Sequence, residues 1–139
     1  LSKAQGLAGL RLGMAWSNPK NIEVLNKIKP PYNISIANQQ LAIEALKNKA
    51  SLQLMIEEQC QQREVLSKAL DQFSWVKKVF PSQANFVLIE VDDALLRFQQ
   101  LLTAGFLVRN RSSQIPNTLR ISVGRPTQNR SMLNALQNV

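Results

Sequence analysis

The chain reads as an α/β protein whose C-terminal part is an α+β module, a helix-flanked and mainly antiparallel sheet. Two observations predict this. From residue 75 onward the apolar runs and turn residues give the order strand, strand, helix, strand, strand, helix, and helices interleaved in that way cover one face of a single sheet. Before residue 75, apolar positions recur mainly at helical spacing, and Asn, Pro and Ser punctuate them into separate helices.

The elements follow in order. Residues 11–16 are mostly apolar without a helical period and predict a short buried strand. Asn18-Pro19 predicts a helix start, because Asn accepts from free amides and Pro suits the first helical position. Ile22, Leu25 and Ile28 give that helix one apolar face, and Pro30-Pro31 stops it. A second helix is predicted from about Ser35 to Lys47, with Ile36, Ile43 and Leu46 facing inward. A third runs from about Ala50 to Phe73 on Leu52, Met55, Ile56, Leu66, Leu70 and Phe73. On its wetter side Glu64 and Lys68 stand in the favourable order for an ion pair, and Gln59, Gln61 and Gln62 read as solvated helix surface. Two strands follow, Trp75 to Phe80 and Asn85 to Val91, around Pro81-Ser82-Gln83. Asp92 or Asp93 caps a helix through Leu95, Leu96, Leu101 and Leu102, which Gly105 closes in the left-handed conformation. Phe106 to Arg109 and Leu119 to Val123 are strands joined by a polar loop. A last helix after Gly124 and Pro126 carries Met132, Leu133 and Leu136. The joint between the N-terminal segment and the compact module is expected near Pro30-Pro31.

Composition narrows the function. No apolar run approaches the ~18 residues of a membrane-spanning helix, and no charged-then-apolar leader is visible. The single cysteine, Cys60, permits no internal disulfide and fits a reducing, cytoplasmic setting. With no histidine and one cysteine, the chain offers neither a metal site nor a Ser-His-Asp or Cys-His mechanism. The net charge is +8, but the 17 Lys and Arg residues are scattered with no basic block. That pattern suits a fragment separated from an acidic remainder, or a site that gathers anionic substrate groups, better than nucleic acid.

Two groups of residues carry chemistry. The first is Leu1-Ser2-Lys3-Ala4-Gln5-Gly6-Leu7-Ala8-Gly9-Leu10-Arg11-Leu12-Gly13. Taken alone, Lys3 is a solvated cation and Arg11 a surface arginine. Together, a hydroxyl beside an amine, glycines that let backbone approach a ligand, and a fixed guanidinium suit imine formation with a phosphorylated aldehyde. The glycines do not form the dinucleotide fingerprint, which excludes a Rossmann reading. The second group holds Val108-Arg109-Asn110-Arg111-Ser112-Ser113 and Leu119-Arg120-Ile121-Ser122-Val123-Gly124. Strand alternation by itself turns Arg109 and Arg120 to solvent. Their functional reading is capture of an anionic substrate group, since an arginine among Leu, Ile and Val is costly to bury unpaired.

These two groups together resemble the histidinol-phosphate aminotransferases of the fold-type I pyridoxal-phosphate enzymes, along nearly all of the chain. The run from Ser2 to Gly13 looks like the cofactor-lysine signature. Lys27-Ile28-Lys29-Pro30-Pro31-Tyr32-Asn33 is similar to the linker into the small domain, and Pro81-Ser82-Gln83-Ala84-Asn85-Phe86 to the motif leading into its sheet. The two arginine motifs resemble the family's substrate arginines. Gln5 departs from the aromatic or aliphatic residue expected there.

The resemblance implies a C-terminal piece of such an enzyme, with residues 1–30 the tail of the large cofactor domain and its linker helix, and 31–139 the small domain. It implies Lys3 as the pyridoxal 5'-phosphate lysine and catalytic proton carrier, and Ser2 and Arg11 as phosphate ligands. Arg120 receives the carboxylate of glutamate or 2-oxoglutarate, and Arg109 helps hold the phosphate of histidinol phosphate or shares anion duty with Arg120. It further implies a homodimer and a chain inactive by itself, because the family's large domain supplies the rest of the cofactor cradle. A neighbouring member, such as an aromatic aminotransferase or threonine-phosphate decarboxylase, and a non-catalytic binding or assembly module are the rival readings.

Overall fold

The computed structural model describes residues 1–137. The backbone separates into two compact units, Leu1–Ile56 and a second that begins at Glu57.

The first unit holds a 3-10 turn at Ala8–Leu10, helix α1 (Pro19–Ile28), helix α2 (Ile36–Lys47) and the start of α3 (Lys49–Leu70). The start of α1 is set as the sequence predicts, while Ser35 caps α2 from just outside it rather than opening it. Asn18 Oδ1 accepts from the Asn21 amide at 3.0 Å with Pro19 in the first turn, and Ser35 Oγ accepts from the Asn38 amide at 3.2 Å. Asn48 Oδ1 starts α3 in the same way, at 3.3 Å from the Ser51 amide. The strand expected over residues 11–16 does not form. A strand needs a ladder partner, and every described strand lies between Val76 and Ser122. Inward positions on α2 also differ from expectation. Ala42 is its buried residue, while Ile36, Ile43 and Leu46 are exposed.

In the second unit a four-stranded antiparallel sheet has the order β1-β2-β4-β3, with β1 Val76–Val79, β2 Phe86–Val91, β3 Arg109–Asn110 and β4 Thr118–Ser122. Helices α4 (Ala94–Thr103) and α5 (Pro126–Leu136) complete it, so the strand–strand–helix order twice over is borne out. One face of β2 and β4, with Val87, Ile89, Leu119 and Ile121, packs with Leu66 and Leu70 of α3, Leu101 of α4, and Met132 and Leu136 of α5. Asp93 caps α4 by accepting from the Leu95 and Leu96 amides, each at 3.0 Å. Gly105 ends that segment at φ +86°, a conformation that glycine alone adopts without strain.

Several details depart from expectation. On α4 the buried positions are Ala94 and Leu101, with Leu95, Leu96 and Leu102 exposed. Strand β3 keeps two residues rather than four, because the Phe106 amide donates back to Leu101 O at 2.8 Å in the helix end. Helix α3 stops at Leu70, and Phe73 instead meets Trp75 with ring centroids 5.3 Å apart. The Glu64–Lys68 ion pair does not form; Glu23 and Lys27 on α1 pair at that spacing instead, at 3.0 Å. Gln59 and Gln62 are not solvated surface. Gln59 donates to Val123 O at 3.1 Å, and Gln62 accepts from Asn129 Nδ2 at 3.1 Å, so both fasten the turn after β4.

Candidate active site

The lysine loop is closed on itself. The Leu1 amine donates to Leu12 O at 3.5 Å, Gly6 N–H to Lys3 O at 2.9 Å, and Leu7 N–H to Leu1 O at 3.2 Å. Gly6 sits at φ +66°, which makes the tight turn after Lys3. Arg11 itself lies in the left-handed region, at φ 52°, where its amide closes the 3-10 turn onto Ala8 O at 3.3 Å. A non-glycine residue held there is strained, and Arg11 is held between that bond and the buried Leu12. Asn38 Nδ2 on α2 donates to Leu10 O at 3.1 Å and ties the loop down.

The result is an open depression of ≈ 550 Å³ whose lining includes Ser2, Lys3, Gln5, Arg11 and Leu12. Lys3 and Arg11 are exposed. Eight positions apart in sequence, the amine and the guanidinium thus share one hollow with the Ser2 hydroxyl. That donor set suits a ligand carrying a carbonyl for the amine and a phosphate for the hydroxyl and guanidinium.

The arginine group lies in the second unit. Arg109 on β3 stands directly opposite Arg120 on β4, and Arg120 stands opposite Leu88 on β2. Arg120 shares the sheet face opposite the core with Thr118 and Ser122, whereas Leu119 and Ile121 point inward. It is half-buried rather than solvated: its Nε is buried and meets no hydrogen-bond partner, and its Cζ lies 5.1 Å from the centre of the Phe86 ring. Arg109 is exposed. Two guanidinium groups on facing ladder positions repel unless an anion lies between or beside them.

The two groups fall in separate compact units. Within each, the structure brings together residues that the sequence had singled out: Ser2, Lys3 and Arg11 in one, Arg109 and Arg120 in the other. Sequence reasoning missed Phe86 as the ring under Arg120, Asn129 as the clamp on Gly124, and Ser112, whose hydroxyl is buried without a partner. Phe86 was visible only as part of a motif; its partner depends on strand register.

The family model of class I and II aminotransferases matches residues 1–136. The chain belongs to that family. As a class I and II aminotransferase chain it is 44% identical over 139 residues to a histidinol-phosphate aminotransferase of Flavobacterium johnsoniae, covering 99% of this chain. It spans about 40% of that relative's length. Among solved structures, a histidinol-phosphate aminotransferase from Clostridium acetobutylicum superposes with TM-score 0.86 at 23% identity, over 95% of this chain and 41% of that one. One from Sinorhizobium meliloti, solved in complex with pyridoxal-5'-phosphate, gives 0.81 at 22% identity over 99% and 38%. At such identities the structures establish the fold, and the resemblance read from the motifs is borne out at the family level.

Proposed function

We propose that this chain is part of a pyridoxal-phosphate-dependent aminotransferase that acts on histidinol phosphate and on glutamate or 2-oxoglutarate. The observation that carries the reading is the shared depression of Ser2, Lys3 and Arg11. The name borne by the Flavobacterium relative supports the substrate. In this reading residues 1–30 belong to the large cofactor domain and its linker, residues 31–139 to the small domain, and the working enzyme is a homodimer.

When bound, pyridoxal 5'-phosphate supplies an electron sink next to the substrate's amine-bearing carbon. Lys3 holds the cofactor covalently through Nζ. The same Nζ would serve the substrate carbon as general base and then as general acid, moving a single proton. Arg11 and Ser2 hold the cofactor phosphate, the guanidinium by its paired N–H edge and the hydroxyl as a single donor. Arg120 takes the carboxylate of the glutamate half-reaction, and Arg109 holds the phosphate of histidinol phosphate or shares that charge. Two half-reactions place different anions in one site, and guanidinium groups accept both.

The test uses the complete polypeptide that carries this chain. Borohydride reduction of the cofactor-loaded protein, followed by peptide mapping, is expected to label Lys3. Amino transfer is expected with histidinol phosphate and not with phenylpyruvate or threonine phosphate. Label on another side chain refutes the site, and turnover of a competing substrate refutes the specificity. The 139-residue chain alone, mixed with the cofactor, is expected to show no stable absorbance band and no turnover.

A further inference from the structure

Among the described residues no acid pairs with Arg120; Glu90 stands on the same sheet face at the next pair along it, opposite Thr118, and forms no salt bridge with Arg120. The ladder neighbours of Arg120 are Leu88 and Arg109, and its buried Nε has no hydrogen-bond partner. What meets the guanidinium is the Phe86 ring, at 5.1 Å. The backbone around Phe86 is tied by four hydrogen bonds. Ser82 Oγ donates to Phe86 O at 2.6 Å and accepts from the Ala84 amide at 3.1 Å. Arg63 Nη1 on α3 donates to Ala84 O at 3.2 Å, and the Val123 amide donates to Asn85 O at 2.9 Å. The polar groups of the Ser82–Phe86 turn thus hold the residue that lies against Arg120.

Resting on the reading of Arg120 as receiver of a substrate oxyanion, we propose that Phe86 is a positioning residue: its ring is the platform that fixes the Arg120 guanidinium for carboxylate or phosphate. The physical reason is economy of donors. A carboxylate partner would occupy the N–H edge and compete with the substrate. An aromatic face attracts the cation through its quadrupole and leaves every N–H free. It also tolerates exchange of one anion for another, because the contact contains no hydrogen bond that must be remade.

The test is nitrogen-15 NMR on the complete polypeptide that carries this chain, following the Arg120 side-chain Nε–H, with glutarate and inorganic phosphate as separate probes. In the unsubstituted chain the Nε–H is expected to be ordered and displaced by the ring current, and each probe to shift it. Phe86→Leu is expected to make the group mobile and weaken probe binding roughly 2- to 30-fold, the range of a cation–π contact. Phe86→Trp is expected to restore order and affinity. Phe86→Met is a second non-aromatic variant should the leucine chain fail to fold. An Nε–H as ordered in Leu or Met as in the parent overturns the proposal, as does an affinity within twofold. If neither probe shifts the unsubstituted chain, the anion reading of Arg120 falls, and the mobility comparison still decides whether Phe86 orders it. A response to phosphate alone, or to glutarate alone, says which oxyanion the platform serves.

Discussion

Arg109 and Arg120 face each other across the β3–β4 ladder, two like charges at one register position. Facing like charges on an antiparallel pair are destabilising, and here one of the two is half-buried. In the proposed reading the arrangement trades sheet stability for a place to hold an anion. Removing one charge should therefore stabilise the ligand-free sheet. Arg109→Gln is expected to raise unfolding free energy by roughly 0.2–1 kcal/mol, measured by urea denaturation in dilute buffer. Added phosphate should shrink the difference by stabilising the parent chain preferentially. A variant less stable than the parent in dilute buffer contradicts the picture.

A second ion pair sets an acid limit. Arg97 donates from Nε and Nη2 to the two Asp92 carboxylate oxygens, at 2.9 and 2.6 Å, while its guanidinium lies 5.1 Å from the Trp75 ring. The hydrogen bonds from Arg97 hold the Asp92 carboxyl down to about 2, from 3.8, against a smaller opposing effect of burial. Because the folded value is depressed, the pair's contribution is complete above pH ~4, where an unfolded Asp is ionised, and it drains away as pH falls toward 2. The carboxylate is partly exposed, so screening keeps the effect modest. Asp92→Asn should flatten the pH dependence of the urea midpoint between pH 4 and 2 and leave little else changed. An unaltered slope in that window would mean that the pair contributes nothing.

Asn129 is buried, at 4% exposure, and every part of its amide is used. Oδ1 accepts from the Gly124 amide at 2.9 Å, and Nδ2 donates to Gly124 O at 3.0 Å and Gln62 Oε1 at 3.1 Å. Asn129→Leu keeps the branched shape, with somewhat more bulk, but strands those three partners, and buried unpaired groups each carry a desolvation cost. A loss of roughly 2–4 kcal/mol is expected by urea denaturation; a loss below about 0.5 kcal/mol would show that water replaces the amide without penalty.

Two glycines should respond differently to alanine. At Gly105 a Cβ meets nothing within 4 Å, but φ is +86°, so Gly105→Ala should cost about 1–2 kcal/mol through backbone strain alone. At Gly124 a Cβ would lie 3.0 Å from Gln128 Oε1 and 3.2 Å from Asn129 Oδ1. Gly124→Ala should destabilise by crowding the Asn129 clamp, and that penalty should shrink in an Asn129→Ala background. A double-mutant cycle measures the coupling; additive effects would separate the two residues.

Much of the second unit was legible from the chain itself. The order of strands and helices from residue 75, a cap at Asp92 or Asp93 and the left-handed Gly105 follow from local chemistry, as does the Asn18 cap in the first unit, because capping and positive φ are decided within a few residues. The candidate residues Lys3, Arg11, Arg109 and Arg120 were also legible, as residue types whose spacing has a chemical meaning.

Inward faces in the helical region were not legible. Ile36 and Ile43 recur as a buried stripe would, yet remain exposed, since a period says which residues share a face and not what lies against it. The strand expected at residues 11–16 failed for a related reason: pairing needs a distant neighbour. Only the tertiary structure set Arg109 opposite Arg120, put Phe86 against the guanidinium, and turned Gln59 and Gln62 from surface into fasteners. Register and burial are properties of which segments meet, and a chain read residue by residue carries only the local half of that information.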